Sequence, residues 1–185
     1  MRIVILAMGL LGAWPGSVAG SDALWEVLKG GGQVVLLRHA TTTPGVGDPP
    51  GFRVEDCAGQ RNLSDHGRDE ARRLGAAFRA RGIPVGQVLS SRFCRCLETG
   101  QLAFGRAEPH PPLDNLIHDR SREPERAAAI RMLAGTRPAS GNVILVTHGI
   151  NIGAAIGIHP AQGEMIVITP RGDGAFEVRG RIPPP

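Results

Sequence analysis

The sequence predicts a single layered α/β domain, and three observations carry that expectation. The chain has 185 residues, 42% hydrophobic and 21% charged, which suits one ordinary globular core. Two almost continuous apolar runs, 33–37 (QVVLL) and 142–147 (NVILVT), have the pattern of strands buried on both faces. Helical spacings fall between and after them. Strands alternating with helices give a layered sheet whose ligand chemistry lies at the carboxyl ends of the strands.

Taken in order, the chain opens with a leader. Met1 and Arg2 precede an apolar run from Ile3 to Trp14, then Pro15, Gly16 and the small-residue group Ser17-Val18-Ala19. Positive start, short apolar centre and small residues at a cleavage point are the order of a secretory signal. The run is shorter than the roughly 20 apolar residues that cross a bilayer. Residues 1–19 are therefore expected to be removed and 20–185 to form one domain, periplasmic or secreted, with no integral membrane span.

Trp25–Leu28 ends a short helix that Gly30-Gly31-Gly32 breaks. The first buried strand follows. Residues 41–60, with Pro44, Gly45, Gly47, Pro49, Pro50 and Gly51, read as a long loop, which in a compact domain is usually functional. Ser64-Asp65 opens a helix running to about Arg81, with Ala71, Leu74, Gly75 and Phe78 on its buried face. Gly82 stops it. Val88-Leu89 is a short strand, Arg95–Phe104 a helix and Arg122–Leu133 another. After the second buried strand comes a helix at Asn151–Ile156, then two strands, Glu164–Thr169 and Ala175–Arg179, around Gly172-Asp173-Gly174.

Composition narrows the function. Aromatics are 4% and tyrosine is absent, which argues against a stacking platform for single-stranded nucleic acid. The net charge is +4, and Lys29 is the only lysine beside 20 arginines. Arginine's planar fork matches phosphate and carboxylate, so an anionic ligand is expected. Helix arginines such as Arg68, Arg72 and Arg79 read as a solvated face. No phosphate-cradling glycine loop of the Walker type, no Gly-x-Ser-x-Gly elbow and no His-Glu-x-x-His occurs. Cys57, Cys94 and Cys96 have no metal-ligand spacing, and neither metal nor cofactor is expected.

Two histidines fall where strand-end chemistry is expected. Arg38-His39 follows the first buried strand and Thr147-His148-Gly149 the second. A neutral imidazole is nucleophilic near neutral pH and can accept a phosphoryl group, whose equatorial oxygens then need cations. Arg38 and Arg95 are the candidates.

At these residues the chain resembles the histidine phosphatase superfamily, the phosphoglycerate-mutase-like proteins. Leu37-Arg38-His39-Ala40-Thr41 is similar to its Arg-His-Gly signature, with Ala40 in the glycine position. Asn62-Leu63-Ser64-Asp65-His66-Gly67 resembles its Leu-Thr-x-x-Gly start of the first long helix. Residues 91–99 (SRFCRCLET) resemble its Ser-x-x-x-Arg-Ala-x-x-Thr element, and Thr147-His148-Gly149 its second histidine motif. All four stand in family order. The resemblance implies a three-layer α/β sandwich with a central, mostly parallel sheet, and a small exported phosphatase.

It also implies roles. His39 is the expected nucleophile, with Arg38, Arg95 and His148 completing the phosphate pocket. Arg95, not Arg92, keeps the family spacing to the serine and the threonine. Arg61 is a candidate outer substrate contact. For the general acid the family's carboxylate falls near residues 112–119, where Asp114 is the first choice and Asp119 the second. Some small members have no such group and act on good leaving groups, phosphohistidine among them.

Three cysteines allow one internal bridge. Either Cys94 or Cys96, paired with Cys57, would fix the long loop beside the pocket. The family has a small alanine after its arginine, which implies that Cys96 is a buried thiol and that the bridge is Cys57–Cys94.

The expected function is a metal-independent phosphohydrolase acting through phosphohistidine on a small phosphomonoester, with a phosphorylated envelope glycan or lipid as a candidate substrate. The alternative is a non-catalytic phospho-ligand or envelope-binding module on the same fold. No nucleic-acid partner is expected.

Overall fold

The computed structural model describes residues 18–45 and 47–185. The expected leader lies outside the described residues, apart from Val18 and Ala19 in the first turn of a helix.

In chain order the elements are α1 (Val18–Lys29), β1 (Val34–Arg38), α2 (Asp65–Ala80), β2 (Val85–Ser90), α3 (Cys94–Phe104), β3 (Glu108–Pro109), α4 (Glu123–Gly135), β4 (Asn142–Thr147), α5 (Gly149–Ile156), β5 (Met165–Gly172) and β6 (Ala175–Ile182). The six strands form one sheet in the order β3-β2-β4-β1-β5-β6. The pairings β3–β2, β2–β4 and β4–β1 are parallel, whereas β5 runs antiparallel to both β1 and β6.

Strand alternation splits the apolar residues between two cores. Val35 and Leu37 of β1 face Leu28 of α1, Leu74 and Phe78 of α2 and Cys96 of α3. Val34 and Leu36 face Ile130 and Ala134 of α4 and Ile152 of α5 on the other side. The central strand is thus apolar on both faces, which explains why it reads as an unbroken run and why the domain has three layers.

Helix starts and stops follow the sequence. Ser64 caps α2, its Oγ accepting the Gly67 N–H at 3.1 Å, and the expected buried face of α2 is buried. Gly67 carries the close approach, since a Cβ there would run into the Thr41 carbonyl. The start of α2 therefore sits directly on the chain leaving β1. Two details differ from the sequence reading. The strand β2 starts at Val85, ahead of a register irregularity, and the two-residue β3 is too short to leave a periodic signal.

Candidate active site

Strand register assembles the site. Arg38 pairs with Thr147 across β1 and β4, so His39 and His148 leave neighbouring strands side by side. Their ring centroids are 5.4 Å apart, and the His39 N–H donates to the Thr147 carbonyl at 3.0 Å. Ser90 pairs with Val146, which brings Ser91 and the start of α3 to the same edge. Arg95 lies in the first turn of α3. Arg38, His39, Arg61, Arg95 and His148 line one cleft of about 330 Å³. Gly149 packs closely here: a Cβ would lie 3.2 Å from Arg38 Nη1, and the guanidinium would have to shift by a few tenths of an ångström.

His39 is buried and its tautomer is set. Its Nδ1–H donates to the Ala40 carbonyl at 2.8 Å, which leaves the Nε2 lone pair free. Burial pushes its pKa down from 6.5 to about 3, opposed by the Ala40 bond and helped by Arg95, Arg38 and Arg61. The ring is neutral at physiological pH. His148 is pushed well below its ordinary value, first by burial and then by the neighbouring His39, Arg95, Arg38 and His118. Its Nε2 meets Ser91 Oγ at 3.0 Å, and that hydroxyl also lies 3.2 Å from Asp114 Oδ1. The carboxylate can only accept, so the hydroxyl proton goes to Asp114 Oδ1, Ser91 Oγ accepts from His148 Nε2–H, and the His148 lone pair is on Nδ1.

Arg38 Nε, Arg61 Nε, Arg95 Nε and His148 Nδ1 are buried without a hydrogen-bond partner among the described residues. Buried polar groups in that state are rare and ask for an explanation. A fifth atom in that state, Asn62 Oδ1, is outside the cleft lining; the other four belong to residues of the one cleft. Burial and the facing Arg61 also lower the Arg38 pKa, a repulsion that a shared anion relieves.

The carboxylate expected as general acid is placed elsewhere. Asp114 is buried outside the cleft lining, where its Oδ1 accepts the Arg92 N–H at 2.8 Å and its Oδ2 meets Arg92 Nη2 at 2.6 Å. Its oxygens are committed, and it acts as an anchor for the Ser91 turn. The second choice, Asp119, accepts from the Ser121 hydroxyl on the exposed surface. Arg92, tied to Asp114, does not line the cleft, whereas Arg95 does.

Cys57 and Cys94 form a disulfide with Cα atoms 5.6 Å apart, and Cys96 is the buried thiol. Burial pushes the Cys96 pKa up to about 12, so it stays protonated beside His148. A larger, mainly apolar groove of about 640 Å³ lies against the disulfide, lined by Leu97 and Leu102 among others, and contains neither histidine of the cleft.

Sequence reasoning missed Asp48. It comes from the long loop and grips Arg95 through both oxygens, at 2.8 and 3.1 Å. Flanked by Gly47 and Pro49, it carries only a turn signal. It also missed Asn115 and Ile117 from 3-10 turns and His159 beyond α5, which complete the cleft wall.

A neutral histidine with a free Nε2 and a second one, set among arginines at the carboxyl edge of parallel strands, are the parts of a phosphoric monoester hydrolase. The comparisons with known proteins agree. The sequence profile of the histidine phosphatase superfamily, branch 1, matches residues 34–123. The fold is similar to that of the protein histidine phosphatase SixA complexed with tungstate, at 18% identity and a TM-score of 0.58, over 82% of this chain and 97% of that one. It is similar as well to the phosphoserine phosphatase of Entamoeba histolytica, at 13% identity and a TM-score of 0.60, over 80% and 95% of the two chains. A search of curated protein sequences gives no match. Residues 34–123, from β1 to the start of α4, are thus similar to that superfamily.

Proposed function

We propose that the protein is an exported phosphomonoesterase that works through a phosphohistidine on His39 and needs no metal. The observation that carries this reading is the locked His39 ring, its free Nε2 set in a cleft with three arginine Nε donors that have no partner among the described residues. Nε2 attacks phosphorus, the bond to the leaving oxygen breaks, and that oxygen departs with the electron pair. Arg38, Arg95 and Arg61 supply positive charge to the phosphoryl oxygens, and His148 packs beside the attacking ring. Water then attacks the phosphohistidine, releasing inorganic phosphate and restoring the ring.

Neither Asp114 nor Asp119 reaches the cleft, so the leaving oxygen has no protein carboxylate from that segment to protonate it. This favours substrates whose leaving groups depart readily, phosphohistidine and activated phosphoesters before simple alkyl phosphates. The leader and the disulfide support export, because disulfides persist in oxidising compartments. An envelope phosphoglycan or phospholipid headgroup fits that location, but as an alkyl phosphate it ranks behind an activated envelope phosphoester on leaving-group grounds.

Acid-labile phosphate trapped during turnover of an aryl phosphate and mapped by mass spectrometry tests the reading. Phosphate on His39, lost in His39→Ala, is expected. Label on His148 or on a serine would overturn the assignment, and binding without turnover would point to the phospho-ligand module.

A further inference from the structure

A carboxylate sits behind the cationic wall of the cleft. Asp48 and Arg95 form an ion pair in which each side chain is 2% exposed. Nη1 donates to Oδ1 at 2.8 Å and Nη2 to Oδ2 at 3.1 Å, so the carboxylate takes the outer end of the fork. A guanidinium carries five N–H groups. The end-on grip leaves the lateral edge, with Nε–H and the second Nη2–H, and Nε is buried without a partner among the described residues. That edge matches two oxygens of a phosphoryl group.

Asp48 is itself held from several sides. Oδ1 accepts the Arg61 N–H at 2.9 Å and Oδ2 accepts from His118 Nε2 at 3.1 Å. Burial alone would raise its pKa, yet hydrogen bonds from Arg95 and the Arg61 N–H bring it below the ordinary value. The Arg95 guanidinium lies 4.7 Å from the Phe93 ring centroid, which closes off another side. The loop that presents Asp48 is tied down by the Cys57–Cys94 bridge and by Gln60, whose Oε1 accepts the Cys94 N–H at 3.0 Å.

We propose that Asp48 is a positioning residue: it fixes the Arg95 guanidinium end-on so that the lateral edge faces the transferring phosphoryl group. The inference rests on the phosphoryl-transfer reading of the cleft. The opposite arrangement, in which Asp48 stands in the anion's own place, conflicts with the geometry. Arg95 lines the cleft and Asp48 does not, and the donors that remain unpartnered belong to cleft residues. The arrangement has an electrostatic cost. Asp48 cancels one of three arginine charges, so it favours orientation at the expense of attraction.

Those two effects separate in Asp48→Asn. Losing the orientation of one group by an ångström lowers a chemical step about 10²-fold, while losing a negative charge does not weaken phosphate binding. The expected result on an aryl phosphate is a fall in kcat of about that size with KM unchanged or lower. In an Arg95→Ala background the same substitution should add nothing, since Asp48 acts through Arg95. Vanadate, which adopts the five-coordinate geometry of transfer, should bind the single variant more weakly, while tungstate binding holds. Thiol titration and circular dichroism confirm that bridge and fold are intact, and Asp48→Glu, which keeps the charge but shifts the grip, should be intermediate if Asp48→Asn fails to fold. A rise in kcat/KM would show that Asp48 occupies the anion seat. Effects that multiply with Arg95→Ala would show that it acts independently. Either overturns the proposal. Absence of phosphohistidine in the wild-type protein would strike the hydrolase reading instead, and the vanadate comparison would still decide the role of Asp48.

Discussion

At the scale of single residues, protonation and register make the sharpest predictions. His39 has a folded pKa of about 3 against 6.5 for an unstrained ring. The unfolded chain therefore takes up a proton that the folded chain refuses, and this contribution to stability is lost as pH falls from 6.5 toward 3. Acid titration of the unfolding midpoint should be steeper for the wild-type protein than for His39→Gln over that window. Equal slopes would mean that the ring is not held neutral. Activity should follow the same logic, with no acid limb near 6.5 once the ionisation of the substrate is divided out. Arg95→Ala should lower the chemical step far more than Arg92→Ala, by roughly 2.7–4 kcal/mol for a positioned donor. Arg92 is engaged with Asp114, so its loss should appear in folding stability rather than in kcat. A larger kinetic loss at Arg92 would reverse the register of the α3 turn.

Among the elements, the 41–60 loop and its bridge matter most. The disulfide spans 37 residues of sequence, and closing a loop of that size stabilises by roughly 3–5 kcal/mol in the chain-entropy model. Cys57→Ser should lower the unfolding midpoint accordingly and also reduce kcat, because Asp48 and Arg61 come from the tethered segment. A destabilised variant with wild-type kcat would separate the bridge from the site. The sequence showed the strands and helices clearly for a physical reason. The central strands are apolar on both sides, and α2 carries a cap and a periodic buried face. The loop and the 105–122 segment have no period. Gly47-Asp48-Pro49 reads as turn chemistry, and Asp114 sits in a chain of short 3-10 turns where position along the sequence does not fix which way a side chain faces. Motif spacing brings Arg38, His39, Arg95 and His148 to one cleft because strand ends and the first turn of α3 set their backbones, whereas groups set by loops leave no such spacing.

On the scale of the whole molecule, the parallel order of β2, β4 and β1 gathers the chemistry on one edge while β5 and β6 extend the sheet away from it. No described helix is long and apolar enough to cross a membrane. The absence of Asp114 and Asp119 from the cleft predicts a steep dependence of kcat/KM on leaving-group pKa across a series of aryl phosphates. A flat series would reveal a proton donor from another part of the molecule. The three arginine Nε donors of the cleft that have no partner among the described residues have a different consequence. Donors gathered on one cleft are a set that an oxyanion satisfies, so anion binding favours the folded chain. Ligation then shows up as heat resistance: an anion at 100 times its dissociation constant stabilises the fold by about 2.7 kcal/mol. Melting curves taken against a library of phosphorylated compounds would let the protein report its own substrate before any reaction is measured.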